Sequence, residues 1–369
     1  MVIAVDEGTQ ALLQRFGFDE ATFERLRERL RAGEAGPEAN RIRGEVAPPR
    51  PEDITELPAL GSPKRAALAE RGREAIARGE VGAVVLAGGM ATRFGGVVKA
   101  GVEALEGQSF LEVKLRDFQR AAEHGPVPVY LMTSFATDAE VARLAAPFST
   151  ATCPIETFPQ LISLRLTPDG ELFRTEDGKA SPYAPGHGDL TFALRRAGIL
   201  ERFRREGGKL LFVSNVDNLT ATLDPAIVGA HLAGGKPMSA EMAPKLPGDR
   251  GGAPARVDGV PQIVEAFRFP TGFDQDRIPV FNTNTLVLDA EAIDQDFELT
   301  WFAVTKSVEG RPAVQFEHLV GQLSAFLPAT FLRVEREGPD ARFQPVKDPP
   351  ELERRRPEIE AALRARGIL

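Results

Sequence analysis

A short apolar run that ends on two glycines is the feature that most constrains the fold. Residues 81–87 read VGAVVLA and are followed directly by Gly88 and Gly89. A continuous apolar run of this length, closed by a turn, is typical of a strand buried on both faces. Strand and helix patterns alternate from there, with helices at 109–122 and 137–146 and strands at 127–133, 153–158 and 210–214. This alternation predicts an α/β fold with a mixed, mostly parallel sheet covered by helices.

The sequence on either side of this core predicts helical additions. Residues 9–33 have apolar side chains at helical spacing, which predicts one amphipathic helix. Five prolines between 44 and 63 predict an irregular connector. Further helices are predicted at 63–79, 314–326 and 350–366. The predicted organisation is a helical brace with a proline-rich connector at 1–80, a core at 81–335, and a lysine-bearing loop with a helix at 336–369.

Composition excludes several classes of protein. The formal net charge of -8 argues against a nucleic-acid partner, whose binding face would be basic. The single cysteine, Cys153, cannot form an internal disulfide. No apolar run approaches the roughly 20 residues of a membrane span, and the first residues lack the pattern of a secretory signal. We therefore expect a cytoplasmic protein without a membrane partner.

The stretch after the first strand has the properties of a phosphate-binding loop. Residues 86–99 read LAGGMATRFGGVVK, and backbone N–H groups of adjacent glycines can converge on an anion. Arg93 and Lys99 add cations of the kind that clamp phosphates. The spacing is neither G-x-G-x-x-G nor G-x-x-x-x-G-K-[ST], since Ala100 follows Lys99. The common dinucleotide and Walker-type loops are thus excluded.

This loop resembles the signature of sugar-nucleotide pyrophosphorylases, L-x-G-G-x-G-T-R-x-G followed by P-K. Ala91 stands where the third glycine usually lies, and Val98 replaces the proline. Five later stretches resemble, in the same order, motifs of the UTP–glucose-1-phosphate uridylyltransferases of the eukaryotic type: APGHGD at 184–189, FVSNVDNL at 212–219, EMAPK at 241–245, FNTNTL at 281–286 and RFQPVK at 342–347. The related N-acetylhexosamine enzymes read D-G-N-G-G where this chain has its GHGD.

The resemblance implies a Rossmann-like nucleotidyltransferase core and a reaction in which a sugar 1-phosphate attacks the α-phosphorus of UTP. Glucose 1-phosphate is the expected sugar, UTP the expected nucleotide and Mg²⁺ the expected cofactor. Two alternatives stay open. One is a uridylyltransferase for N-acetylglucosamine 1-phosphate or for a broad range of sugar 1-phosphates. The other is a non-catalytic sensor of sugar nucleotides, and the departures from the motif at Ala91 and Val98 are the reason to consider it.

The resemblance also implies roles for individual residues. Arg93, Lys99 and Lys347 would act on the phosphates as catalytic residues. Asp217 follows an apolar strand, which is a suitable position for a Mg²⁺ ligand. The nucleotide would be held by Ala87, Gly88, Gly89, Gln160, Gly186 and His187. The sugar would be held by Gly188, Asn215, Glu265, Asn282 and Asn284.

Two further expectations concern the assembled protein. Relatives of the eukaryotic type usually continue after the P-V-K lysine into a β-helical domain, whereas 22 residues follow Lys347 here. We therefore do not expect that domain, and we expect a monomer or small homo-oligomer. Residues 244–261 are loop-rich and predict a mobile flap over the sugar.

Overall fold

An eight-stranded mixed sheet forms the centre of the protein in the computed structural model, which describes residues 5–246, 249 and 251–369. In chain order its strands are β1 (Ile54–Glu56), β2 (Val81–Leu86), β3 (Val129–Thr133), β4 (Ile155–Pro159), β5 (Leu210–Asn215), β6 (Met238–Pro244), β7 (Val280–Asp289) and β8 (Ala329–Arg333). In space they lie in the order β1-β8-β6-β7-β5-β2-β3-β4.

Strand directions confirm the predicted sheet. Strand β7 is antiparallel to both of its neighbours, and every other neighbouring pair in this sheet is parallel. Leu86 at the end of β2 pairs with Asn215 of β5 on one side and with Met132 of β3 on the other. The residues that follow these three strands therefore meet at one edge of the sheet, where ligands of such folds bind.

Helices cover both faces of this sheet. They are α1 (Glu7–Arg15), α2 (Glu20–Arg31), α3 (Pro63–Ala77), α4 (Phe110–Ala121), α5 (Asp138–Ala145), α6 (Leu190–Arg196), α7 (Ile199–Arg205), α8 (Pro225–Gly234) and α9 (Pro349–Ala365). Along β2, Val81, Ala83 and Val85 pack in one apolar cluster with α3, α4, α8 and α9. Val84 packs in a second cluster with α6 and α7. All four side chains are fully buried, so the prediction of a strand buried on both faces is confirmed.

The prediction of one helix over 9–33 is wrong. The segment forms α1 and α2, and Gly17 between them has a φ of 74°, which a right-handed helix cannot accommodate. Asp19 then caps α2, since its side chain accepts a hydrogen bond of 3.0 Å from the backbone N–H of Thr22. The apolar spacing is nevertheless used, because both helices bury their side chains in one cluster that includes Leu13 and Phe23.

The prediction of a helix over 314–326 is also wrong. Arg311–Glu317 is a strand antiparallel to Phe302–Val308, and a short 3₁₀ segment, Val320–Ala325, follows it. The residues from Ala313 to Phe316 are all buried, so the strand buries both of its faces. A continuous apolar run of this kind fits a buried strand as well as a helix, and periodicity alone does not separate the two.

Two segments predicted to be irregular contain strands. The connector at 44–63 supplies β1 at one edge of the main sheet, and it also contains Val46–Ala47. Val46–Ala47 pairs with Ala253–Val257, which forms a hairpin with Val260–Val264. The second half of the expected flap at 244–261 thus belongs to a β-hairpin, and residues 247, 248 and 250 of the flap lie outside the described residues.

Within the described residues, no helix combines the length and apolar character needed to cross a membrane.

Candidate active site

An open cleft of about 360 Å³ lies at the carboxyl ends of β2, β3 and β5. Its walls come from the glycine loop, the turn after β5 and the segment at 184–187. Eight of the predicted site residues line it together: Gly88, Gly89, Lys99, Gln160, Gly186, His187, Asn215 and Asp217. Residues distant in sequence therefore meet at the sheet edge that the strand directions define.

Gln160 connects two walls of this cleft. Its Oε1 accepts a hydrogen bond of 3.0 Å from the N–H of Gly186, and its own N–H donates to the carbonyl of Thr133 at 3.0 Å. A Cβ atom on Gly88 would lie only 2.3 Å from Gln160 Nε2, so any side chain at position 88 would displace this amide. Since Oε1 is occupied by Gly186, the Nε2 donors are the groups that Gln160 presents beside Gly88.

The glycine loop is fixed to the neighbouring strand at its start. The N–H of Ala87 donates to the carbonyl of Met132 at 2.8 Å, and the carbonyl of Gly88 accepts from Ser134 Oγ at 2.9 Å. Ala87 is fully buried and is not among the described residues that line the cleft, so the structure does not expose this predicted nucleotide-binding residue. Further along, the N–H of Lys99 donates to the carbonyl of Gly89 at 3.2 Å, which returns the loop to the cleft.

His187 is held as a neutral imidazole in one tautomer. Its Nδ1 accepts a hydrogen bond of 3.0 Å from the N–H of Val320, so the ring proton resides on Nε2. Burial lowers the pKa of His187 to about 4. At neutral pH the ring therefore offers a neutral Nε2–H donor at the cleft wall.

The turn that carries His187 rests on a buried pair that the sequence did not predict. Asp189 is fully buried, accepts a hydrogen bond of 2.8 Å from the N–H of Leu161, and bonds to His318 Nε2. The His318 ring stacks on Trp301, with the ring centroids 4.2 Å apart. Asp189 therefore joins the turn to the residue next to Gln160. The GHGD motif was the available signal for Asp189, whereas no pattern marked His318.

Gly188 faces away from the cleft. Its N–H donates to the carbonyl of His318 at 3.0 Å, and a Cβ atom on it would lie 2.4 Å from the carbonyl carbon of His318. It lines a separate cavity of about 590 Å³ on the other side of the turn. The structure therefore gives Gly188 a packing role and does not bring it to the other sugar candidates.

Lys99 and Asp217 form an ion pair on the floor of the cleft. Lys99 Nζ donates to Asp217 Oδ2, and the two side chains are 18% and 17% exposed. Asp217 lies in the turn directly after β5, two residues beyond Asn215. The cation predicted for the phosphates and the carboxylate predicted for the metal are thus direct neighbours.

The donor set fits a Mg²⁺ ion that takes most of its ligands from phosphates and water. Among the described residues, no group of three or more His, Cys, Asp or Glu side chains could hold a metal by itself. Mg²⁺ is commonly bound through one or two carboxylates together with substrate phosphates and water. The single carboxylate of Asp217 at the cleft floor meets that requirement.

Arg93 and Lys347 lie outside the set of cleft-lining residues that the structure describes. Arg93 is 64% exposed, and its Nη1 is 3.9 Å from Oδ2 of Asp348, the residue after Lys347. Lys347 is exposed, and its backbone N–H donates to Glu351 Oε2 at 2.8 Å. The segment that carries Lys347 therefore lies next to Arg93 of the glycine loop.

Buried polar contacts bind the Lys347 segment to the Asp217 turn. Arg342 is fully buried and donates two hydrogen bonds, of 2.9 and 2.6 Å, to the carboxylate of Glu241. Asn218 donates to the carbonyl of Arg342 at 3.0 Å and accepts from the N–H of Gln344 at 3.0 Å. Asn218, Glu241 and Arg342 belong to the recognised motifs but received no role from the sequence. They connect the segment that carries Lys347 to the turn that carries Asp217.

The sugar candidates other than Gly188 form a connected group next to the cleft. Asn284 Nδ2 donates to Asn215 Oδ1 at 3.1 Å, and the N–H of Asn284 donates to Asn282 Oδ1 at 3.1 Å. Asn284 has a φ of 60°, an uncommon backbone conformation that asparagine tolerates. Glu265 lies close by, since a Cβ on Gly252 would be 2.7 Å from its Oε1 and the Gly252 carbonyl accepts from the N–H of Asn282. Burial raises the pKa of Glu265.

The mixed sheet, with its glycine-lined cleft at the carboxyl ends of parallel strands, defines an α/β protein with a ligand cleft at the edge of the sheet. Residues 22–352 match the family described as UTP–glucose-1-phosphate uridylyltransferase. Because that match covers most of the chain, the chain belongs to this family.

Curated relatives agree with this assignment. UTP–glucose-1-phosphate uridylyltransferase 2 of Dictyostelium discoideum is 26% identical over 329 residues, which are 82% of this chain and 62% of the relative. The UTP–glucose-1-phosphate uridylyltransferase of Saccharomyces cerevisiae is 31% identical over 226 residues, 58% of this chain and 45% of the relative. The chain thus spans about half to three fifths of the length of these relatives.

Solved structures share the fold. The UDP-N-acetylglucosamine pyrophosphorylase of Trypanosoma brucei, in complex with an inhibitor, superposes with a TM-score of 0.75 at 19% identity and covers 98% of this chain and 79% of its own. A mutant UDP-glucose pyrophosphorylase of Leishmania major in complex with UDP-glucose superposes with a TM-score of 0.72 at 21% identity. The superposition covers 95% of this chain and 79% of the Leishmania chain.

Proposed function

We propose that this protein transfers the uridylyl group of UTP to a sugar 1-phosphate, preferentially glucose 1-phosphate, and releases pyrophosphate. The observation that carries the proposal is the meeting of Gly88, Gln160, Lys99 and Asp217 in one cleft. A base-binding amide, a cation and a metal-binding carboxylate are the parts that a nucleoside triphosphate requires.

Uracil recognition would rest on the Gln160 side of the cleft. The Nε2 donors beside Gly88 suit a carbonyl oxygen of the uracil ring, and the backbone of Gly88 and Gly89 lines the cleft beside them. His187 would add its Nε2–H as a neutral donor to an oxygen of the ribose or a phosphate. The absence of a side chain on Gly88 lets the base approach the backbone closely.

The phosphate chemistry would take place over Lys99 and Asp217. An oxygen of the sugar phosphate bonds to the α-phosphorus as the bond to the bridging oxygen breaks, and pyrophosphate leaves with the electron pair. Asp217 would hold a Mg²⁺ ion together with substrate oxygens and water, and the ion would supply positive charge to the phosphates. Lys99 would then exchange its partner, from the Asp217 carboxylate to an α-phosphate oxygen.

Arg93 and Lys347 would neutralise the leaving pyrophosphate from the mouth of the cleft. Both side chains are exposed, and the segments that carry them already touch through Arg93 and Asp348. In-line phosphoryl transfer depends on positioning and charge neutralisation rather than on a protein nucleophile. Two exposed cations beside the glycine loop suit that requirement.

The sugar would lie against the asparagine group. Asn215, Asn282 and Asn284 offer amide donors and acceptors, which suit hexose hydroxyls. The preference for glucose over an N-acetylhexosamine rests on the resemblance of residues 186–189, GHGD, to the motif of the glucose enzymes.

A pyrophosphate-release assay tests this proposal. UTP and Mg²⁺ are supplied with glucose 1-phosphate, galactose 1-phosphate or N-acetylglucosamine 1-phosphate, and ATP replaces UTP as the nucleotide control. We expect the highest kcat/KM with UTP and glucose 1-phosphate. A higher kcat/KM with N-acetylglucosamine 1-phosphate would make that compound the preferred sugar substrate in place of glucose 1-phosphate. Binding of UDP-glucose without any turnover would support the sensor instead.

A further inference from the structure

Lys114 is a buried lysine to which the proposed reaction assigns no role. It lies on α4, beneath the sheet edge that carries the cleft, and is 1% exposed. Its Nζ donates to Ser214 Oγ at 3.2 Å and to the carbonyl of Ala221 at 2.6 Å. Ser214 and Ala221 are themselves fully buried. A lysine without solvent access costs free energy unless its donors are satisfied, so these two bonds define its surroundings.

The two acceptors of Lys114 lie at the two ends of the segment that carries Asp217. Ser214 is the second-last residue of β5, and Ala221 is four residues beyond Asp217. One ammonium group therefore bridges the start and the end of residues 214–221. This segment, here called the carboxylate turn, also contains Asn215 and Asn218.

A second side chain of α4 holds the chain immediately beyond. Asp117, one helical turn after Lys114, accepts a hydrogen bond of 2.7 Å from the N–H of Leu223. The helix thus binds the carboxylate turn and its continuation through two buried ionisable side chains. From the other side, Arg366 donates to the carbonyl of Thr220 at 2.7 Å. Of these contacts, the one through Lys114 is the bond that closes the carboxylate turn on itself.

We propose that Lys114 is a positioning residue for Asp217, in that its bridge between Ser214 and Ala221 fixes the carboxylate turn in the geometry that receives a divalent cation. The proposal rests on the role of Asp217 as the metal ligand in the proposed function. Partners that orient metal ligands without touching the metal typically change metal affinity by about 10–100-fold.

Charges around Lys114 are consistent with this placement. Burial lowers the pKa of Lys114 to about 7, and the negative charges of Asp117, Asp217 and Glu241 oppose that shift. The amine keeps N–H donors in either protonation state, so the bridge persists through neutral pH.

The test compares Lys114→Met, which keeps an unbranched side chain but removes its donors, with Lys209→Met. Lys209 is exposed and pairs with Glu80 at 2.6 Å just before the same strand, so it is a matched control. Hydrogen exchange is measured on residues 215–222 of the metal-free protein. Lys114→Met is expected to accelerate it at least about tenfold, and Lys209→Met to leave it unchanged.

Metal binding provides a second readout that needs no turnover. The affinity for Mn²⁺ in the presence of UTP is measured by electron paramagnetic resonance, and Lys114→Met is expected to weaken it by about 10–100-fold. In the reaction, we expect the apparent KM for Mg²⁺ to rise in the same proportion. We expect kcat at saturating Mg²⁺ to stay within about threefold of the wild-type value, because the metal ligand Asp217 is still present.

Ser214→Ala, which removes one end of the bridge, keeps the proposal testable if Lys114→Met does not fold. Ser214→Ala should accelerate hydrogen exchange and weaken Mn²⁺ binding, both by less than Lys114→Met does. In the double variant, Ser214→Ala should add no further effect to that of Lys114→Met, since both substitutions break the same bridge. Unchanged exchange and Mn²⁺ affinity in either variant would overturn the positioning role. If the wild type binds Mn²⁺ with UTP but does not turn over, the proposed function fails, while these two readouts still decide the role of Lys114.

Discussion

Two of the polar residues in the candidate site are held by partners that leave one of their polar groups free. Gln160 Oε1 accepts a hydrogen bond from the N–H of Gly186, and His187 Nδ1 accepts one from the N–H of Val320, so both side chains present N–H donors to the cleft. Lys99 is the exception, because its partner is another residue of the candidate site, Asp217. That pair is consequently the point at which a substitution should affect chemistry with the least effect on the fold.

Replacing Lys99 with alanine should lower kcat/KM for UTP and glucose 1-phosphate by about 10²–10³-fold, because one charge that stabilises the transition state is lost. Lys179→Ala is the control, since Lys179 is an exposed lysine with an ion pair to Asp177 at 2.7 Å. Steady-state kinetics and a thermal melt of each variant are the measurements. A Lys99→Ala enzyme with wild-type kcat/KM would remove Lys99 from the mechanism.

His187 should make the protein less stable in mild acid. Burial lowers its pKa from 6.5 to about 4, so between these values the unfolded chain binds a proton that the folded protein does not. The free energy of unfolding should therefore fall as the pH is lowered from 6.5 to 4, by at most about 3 kcal/mol from this group.

Urea denaturation of the wild type and of His187→Gln at pH 7.5 and pH 5 measures this effect. The glutamine variant should lose less stability between the two pH values, since it has no group that titrates there. An identical loss in both proteins would contradict the low pKa of His187.

At the scale of elements, strands buried on both faces were predictable where their runs were short and bounded by glycine, as at β2. The same rule failed for Arg311–Glu317, because the spacing of Phe316, Val320 and Leu323 also fits a helix. Strand β1 was missed since it has three residues in a proline-rich segment and gains its structure by pairing with β8. Both segments are strands because they pair with other strands, and the local sequence does not reveal that pairing.

The contact between α3 and α8 depends on glycine at two positions. A Cβ on Gly229 would lie 1.9 Å from the carbonyl oxygen of Leu68, and one on Gly72 would lie 1.8 Å from that of Pro225. Gly229→Ala should therefore force the helices apart and reduce the free energy of unfolding by roughly 3 kcal/mol.

Gly8→Ala is the control for that substitution, because Gly8 is also helical and its Cβ would meet only the Asp6 carboxylate, at 3.2 Å. Chemical denaturation of both variants measures the difference. A Gly229→Ala protein as stable as the wild type would show that the helices do not need this close approach.

At the scale of the whole molecule, the candidate site residues come from a long span of the chain, from Ala87 to Lys347. Lys99 and Asp217 are 118 residues apart, and their meeting follows from parallel strands whose carboxyl ends share an edge, which the motif order already indicated. The pair of Asp189 and His318, 129 residues apart, was not predictable because no spacing marks His318. Periodicity predicts the edge of the sheet, whereas contacts between loops require the folded structure.

The most direct test of the proposed activity follows the phosphorus atoms themselves. ³¹P NMR of wild-type protein with UTP, glucose 1-phosphate and Mg²⁺ should show UDP-glucose and pyrophosphate forming in equal amounts, and chelation of Mg²⁺ should stop both. Spectra that stay unchanged, or that show UDP and orthophosphate instead, would contradict uridylyl transfer at this cleft.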